Sequence, residues 1–163
     1  MTVSNQISEL NFYSVFVYVS VSLEVSIMLT CWKHHSNPVK LWCLTECHLT
    51  IRPNGEVLGT KDDSDPDTKI LRTSAENGLV RLLGINSQLY LCLDHKEEKL
   101  YGVKDKNKAT LFKEDMSGSY STYQCTLDSK SWFVGIRNDG KPKPVKTAEA
   151  TQKETRFLPR GCP

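Results

Sequence analysis

His48-Leu49-Thr50-Ile51-Arg52-Pro53-Asn54-Gly55 is followed further along the chain by Tyr90-Leu91-Cys92-Leu93-Asp94 and by Phe133-Val134-Gly135-Ile136-Arg137-Asn138-Asp139-Gly140. The three stretches repeat one design. Leu49, Leu91 and Val134 are separated by 42 and 43 residues, and so are Ile51, Leu93 and Ile136. Agreement over which positions are apolar, at a fixed period, predicts three copies of one β unit. Within each copy, period-two alternation buries one face of a strand. The Asn54-Gly55 and Asp139-Gly140 pairs offer the positive φ angles of tight hairpin turns.

After the first turn the chain continues into Val57-Leu58-Gly59, and Leu100-Tyr101-Gly102 lies 43 residues beyond it. A small apolar return strand therefore completes each of these hairpins. The connections Lys61-Asp62-Asp63-Ser64-Asp65-Pro66-Asp67 and Lys104-Asp105-Lys106-Asn107-Lys108 are charged and short. They are too polar for a core and too brief for a crossover helix, which argues against βαβ units. A unit of about forty residues cannot bury an apolar face alone. Packing three around one axis removes the exposed sheet edges and predicts an all-β barrel with a hairpin cap, a β-trefoil. By length, residues 40–163 make one such domain, with a core large enough to fold without disulfides.

Residues 1–39 stand outside the pattern as a hydrophobic N-terminal extension and linker. Phe12 to Leu29 is apolar and Ser/Tyr-rich, broken by Glu24, and no Lys or Arg precedes Lys33. A run of this kind reads as a secretory signal or a signal anchor, although it lacks the basic flank such segments carry. Val17, Val19, Val21, Leu23, Val25, Ile27 and Leu29 also alternate with a strand-like period, so an uncleaved extension is a third reading. Stable membrane insertion is not expected.

Six cysteines, Cys31, Cys43, Cys47, Cys92, Cys125 and Cys162, invite a disulfide framework. Cys92, however, takes a strand position that is apolar in the other copies, and is expected to be a buried thiol acting as a small hydrophobe. Cys31, His34, His35, Cys43, Cys47 and His48 are dense enough for a zinc site but match no standard finger spacing. The Asp62, Asp63, Asp65 and Asp67 loop lacks the central Gly and terminal Glu of a calcium loop. None of the four histidines has a nucleophile or carboxylate at motif spacing, and no phosphate loop or cofactor motif stands out. No enzymatic activity, metal or cofactor is expected.

Lys40-Leu41-Trp42-Cys43, followed by His48 to Gly55 and Gly59-Thr60, resembles the opening of a fibroblast growth factor core. Ser74-Ala75-Glu76, Tyr90 to Asp94, Leu100-Tyr101-Gly102, Tyr120-Ser121-Thr122-Tyr123, Trp132-Phe133-Val134-Gly135 and Phe157-Leu158-Pro159 stand in that family's order and spacing. The resemblance covers about three quarters of the chain and is most similar to the acidic branch of the family. Three departures mark a divergent member. Thr110-Leu111-Phe112-Lys113-Glu114 lacks the Cys of the family's Cys-x-Phe-x-Glu motif. Leu44-Thr45-Glu46-Cys47 replaces an Asn and a Gly pair, bringing in a Glu that repels an anionic ligand. Pro144-Val145 replaces a glycine in the basic loop and alters its backbone.

The net charge of +2 hides an asymmetry, because residues 137–163 carry seven basic groups against three acidic ones. Such a cluster attracts polyanions, and flexible lysines suit irregularly spaced sulfates. Nucleic acid is not expected, because no aromatic pattern accompanies the lysines. The resemblance implies heparin binding by Arg137, Asn138, Lys141, Lys143, Lys146, Gln152 and Lys153. It also implies receptor contact by Trp42, Glu114, Tyr120 and Leu158, with Tyr120 facing out while Tyr123 faces in. The expectation is an extracellular growth factor, secreted through a signal or, as the resemblance to the acidic branch implies, by a nonclassical route, and monomeric or a polyanion-assisted dimer. It would bind a fibroblast growth factor receptor ectodomain with heparan sulfate as co-ligand and promote receptor dimerisation. A glycosaminoglycan-binding module without signalling, or an intracellular relative with a cytosolic partner, are the alternatives.

Overall fold

A computed structural model describes residues 37–162; the Phe12 to Leu29 stretch, Cys31, His34 and His35 lie outside them. Eleven strands follow one another: β1 Val39–Cys43, β2 His48–Ile51, β3 Val57–Thr60, β4 Lys69–Ser74, β5 Val80–Gly84, β6 Tyr90–Asp94, β7 Lys99–Val103, β8 Lys113–Ser117, β9 Tyr120–Leu127, β10 Lys130–Phe133 and β11 Phe157–Gly161. Every pairing is antiparallel. Six of the strands pair in a ring. β1 lies between β11 and β4, β4 pairs β5, β8 pairs β9, and β9 pairs β11. The joint between β5 and the approach to β8 is the narrowest, a single bridge in which Val80 and Phe112 exchange bonds of 2.8 and 2.9 Å. The β2–β3 and β6–β7 hairpins stand off this ring, and with the 135–142 turn they form the cap of a β-trefoil.

The repeat positions meet in the middle. Leu49, Leu91, Val134, Ile51, Leu93 and Ile136 are all fully buried, in one cluster with Leu41, Leu82, Phe112, Tyr123 and Phe157. Each such side chain contributes about 1.5–3 kcal/mol through burial. Cys92 is fully buried as well, and the five described cysteines are free thiols.

The turns differ from the expectation in one respect. Only Gly55 and Gly140 have positive φ, 86° and 78°; Asn54 and Asp139 do not. In both loops the Gly N–H donates to an Arg carbonyl three residues back, Arg52 at 2.9 Å and Arg137 at 3.0 Å. Each Arg N–H then reaches the residue after the glycine, Glu56 at 2.8 Å and Lys141 at 2.9 Å. These are type I turns closed by a glycine bulge, a geometry that Pro53 at the second position favours. The Cys43 to Cys47 loop repeats the pattern with Glu46 in the glycine's place at φ 64°.

Two further expectations are corrected. The third copy is not a regular hairpin, because only Ile136 and Pro142 pair across it. Pro142 and Pro144 have no N–H to give a ladder. The acidic connection is not wholly outside the core either. Asp67 is buried, with Asn86 donating to one oxygen at 2.8 Å and Arg52 to the other at 2.8 Å, while Arg52 also grips Asp65 at 2.7 Å. Burial of that carboxylate is tolerated because both its oxygens are satisfied.

Candidate functional site

The basic residues lie on two segments held side by side. The Ile136 N–H donates to the Glu154 carbonyl at 2.8 Å, and the Lys143 N–H to the Gly135 carbonyl at 2.9 Å. From below, the Thr45 hydroxyl donates to the Ile136 carbonyl at 3.0 Å, and the Cys43 thiol lies 3.2 Å from the Glu154 carbonyl and 3.4 Å from that of Lys153. Burial pushes the Cys43 thiol up, which keeps it a neutral donor. Cys43 and Thr45 thus position the loops that carry Arg137, Asn138, Lys141, Lys143, Gln152 and Lys153. Sequence reading gave neither residue that task, since their partners are about ninety to a hundred and ten positions away.

The cations are not equally available. Arg137 pairs with Asp139 at 3.0 Å, Lys143 with Glu154 at 3.6 Å with only 15 % of its side chain exposed, and Lys146 with Glu98 of the β6–β7 turn. Lys141 and Lys153 are exposed and have no carboxylate partner among the described residues. Asn138 is exposed, whereas Gln152 is half-buried and accepts from the Glu149 N–H at 3.1 Å. Glu46, expected to repel an anion, is exposed and reaches Lys61 at 3.8 Å.

Three of the four predicted receptor residues converge on one row. Trp42 on β1 stands directly across from Leu158 on β11. The antiparallel register at Phe157 and Ser121, carried one residue on, sets Leu158 across from Tyr120 on β9. Neighbouring strands place such residues about 5 Å apart with side chains on one face. All three are half-buried, while Leu41, Phe157 and Tyr123 on the opposite face are fully buried. The Arg160 guanidinium lies over the Trp42 ring, 4.4 Å from its centroid.

Glu114 belongs elsewhere. It pairs with Tyr123, not Tyr120, and only 14 % of its side chain is exposed. One of its oxygens accepts from Arg72 at 2.8 Å and from the Tyr123 hydroxyl at 3.0 Å. Burial and the adjacent carboxylate push the Tyr123 hydroxyl well up, so it stays protonated and donates. Glu114 is therefore tied into the barrel wall.

Beside the row, Met116, Tyr120, Thr122, Phe133, Thr151 and Arg156 line a shallow groove of about 260 Å³. Met116 is 72 % exposed, the one large apolar side chain so placed among the described residues. On the other flank, buried His48 pairs with Trp42 along the sheet and contacts Asp63 at 3.2 Å, with Lys40 on the same carboxylate at 3.0 Å. Burial pushes the His48 imidazole down; Asp63 opposes this, and Lys40 and Arg160 add to it. Among the described residues no three His, Cys, Asp or Glu side chains converge as a metal site.

Comparison with known proteins is consistent with this geometry. Residues 37–158 match the family model described as fibroblast growth factor. The chain is 34 % identical over 125 residues to fibroblast growth factor 1 of Notophthalmus viridescens, covering 75 % of this chain and 94 % of that protein. It is 30 % identical over 131 residues to fibroblast growth factor 2 of Gallus gallus, covering 79 % of this chain and 82 % of the relative. Fibroblast growth factor 10 of Mus musculus is 31 % identical over 124 residues, 74 % of this chain but 59 % of its own length.

Proposed function

The chain belongs to the fibroblast growth factor family, and we propose that it is an extracellular growth factor engaging a fibroblast growth factor receptor ectodomain with heparan sulfate as co-ligand. Its family is one of growth factors, not enzymes. The observation that carries the reading is the outward row of Trp42, Leu158 and Tyr120. Aromatic and aliphatic side chains set side by side and half-exposed are the composition of an interface centre. The second surface, around Lys141 and Lys153, takes the polyanion. It is carried by the 135–156 segments, so one glycosaminoglycan chain can raise the effective concentration of receptor and factor together.

Residues 1–36 act in export in this reading, and the trefoil domain begins just before β1, whose first residue is Val39. Deletion of residues 1–36 should leave the melting temperature of the domain nearly unchanged. A cooperative melt lost on deletion would move the boundary.

The function itself is tested in cells lacking heparan sulfate. Added protein is expected to raise receptor tyrosine phosphorylation only when heparin is supplied. Heparin retention without any receptor phosphorylation would reduce the protein to a glycosaminoglycan-binding module.

A further inference from the structure

The C-terminal strand presents a second pattern on the same outward face. Arg156, Leu158 and Arg160 alternate with inward Phe157 and with Pro159. Arg156 is extended, φ −98° and ψ 118°, so the alternation of the strand reaches back to it. Four residues of extended chain separate the two arginines by about 13 Å, with Leu158 midway. Resting on the reading of this row as the receptor contact, we infer that it accepts a protein surface bearing two carboxylates on either side of an apolar side chain.

Charge complementarity carries the argument. Arg52, Arg72 and Arg137 each have a carboxylate partner in the fold. Arg156 and Arg160 pair with none among the described residues, nor does Arg81, although Asp115 lines the same groove as Arg156 and Asp63 feels the charge of Arg160. They flank the apolar Leu158, Arg156 half-buried and Arg160 exposed, where an unmatched guanidinium would be stripped of water by any purely apolar partner. The Trp42 ring holds the Arg160 guanidinium 4.4 Å from its centroid, which limits its freedom before binding. A planar fork fixed in this way matches a carboxylate through two parallel bonds. Groove residues Met116 and Phe133 supply an apolar floor beside Arg156. Sulfated polysaccharide is the less suitable occupant, because Leu158 and the ring faces of Trp42 and Tyr120 offer its sulfates no positive charge.

The test measures binding of the full chain to immobilised fibroblast growth factor receptor ectodomains across salt concentrations, with heparin-column elution in parallel. R156Q/R160Q is expected to lose about tenfold or more in affinity. Its affinity should also become less salt-dependent, with heparin elution unchanged. The single variants R156Q and R160Q should each give part of the loss, and decide the matter if the double variant melts at a lower temperature. Wild-type affinity and salt dependence in R156Q/R160Q, with L158A weakened, would overturn the inference while leaving the receptor reading standing. An earlier heparin elution with receptor affinity intact would assign the two arginines to the polyanion and overturn it too. No loss in either R156Q/R160Q or L158A would remove the receptor row and the inference together.

Discussion

Gly59 and Gly140 meet backbone to backbone, the Gly59 N–H donating to the Gly140 carbonyl at 2.7 Å. This contact joins the first hairpin to the third, as the Gly102 N–H and Gly55 carbonyl, at 2.7 Å, join the second to the first. No side chain fits at either residue of the pair. A Cβ on Gly59 would lie 2.4 Å from Ile136 Cγ2, and one on Gly140 would lie 2.6 Å from the Gly59 carbonyl oxygen.

Gly59→Ala and Gly140→Ala should each destabilise by about 2 kcal/mol or more, Gly140→Ala also forcing a β-carbon onto positive φ. Thermal melts measure this. Gly161→Ala is the control, since nothing lies within 4 Å of its added Cβ. Equal melting temperatures for all three would mean that the cap is looser than this packing requires.

Glu46→Gly should stabilise. Glu46 holds a left-handed conformation at φ 64° that costs an ordinary residue about 1 kcal/mol, and its contact with Lys61 is exposed at both ends. Glycine raises the entropy of the unfolded chain, so the net gain is expected to be about 0.5 kcal/mol. A melting temperature that falls would show that the Glu46 side chain contributes to the turn.

These turns illustrate what the sequence could and could not disclose. Leu49, Leu91 and Val134 were legible because burial leaves a periodic trace in residue type, and that trace is enough for the three-fold core. Asn54-Gly55 suits either of two turn types, and only the hydrogen bond from Gly55 to Arg52 decides between them. The convergence of Trp42, Leu158 and Tyr120 depends on register between strands distant in sequence, which no local pattern records. The pairing of Lys146 with Glu98, and the engagement of Glu114 by Arg72, are likewise tertiary, so the sequence could not grade its candidate residues by how free each one is.

Acid should weaken the fold through His48. Its folded pKa is lowered, so the unfolded chain binds the extra proton first, and stability is lost as pH falls below the unfolded value of about 6.5. Asp63, Lys40 and Arg160 are the charged groups facing it. Between pH 7.5 and 5.5, His48→Asn should show a smaller drop in melting temperature than wild type. An identical slope would assign the acid sensitivity to other groups.

Among the lysines, the free pair should dominate polyanion binding. Lys141→Ala with Lys153→Ala should elute from heparin at lower salt than Lys143→Ala with Lys146→Ala, because the latter two already face Glu154 and Glu98. The reverse order would mean that sulfates displace those carboxylates.

Receptor binding by the outward row is the most direct test. Calorimetric titration of the full chain with a fibroblast growth factor receptor ectodomain should show saturable binding. Leu158→Ala and Tyr120→Ala should each lower affinity by about tenfold or more while melting and eluting from heparin as wild type does. Wild-type affinity in both variants, or no binding by the unaltered chain, would contradict the assignment of this surface.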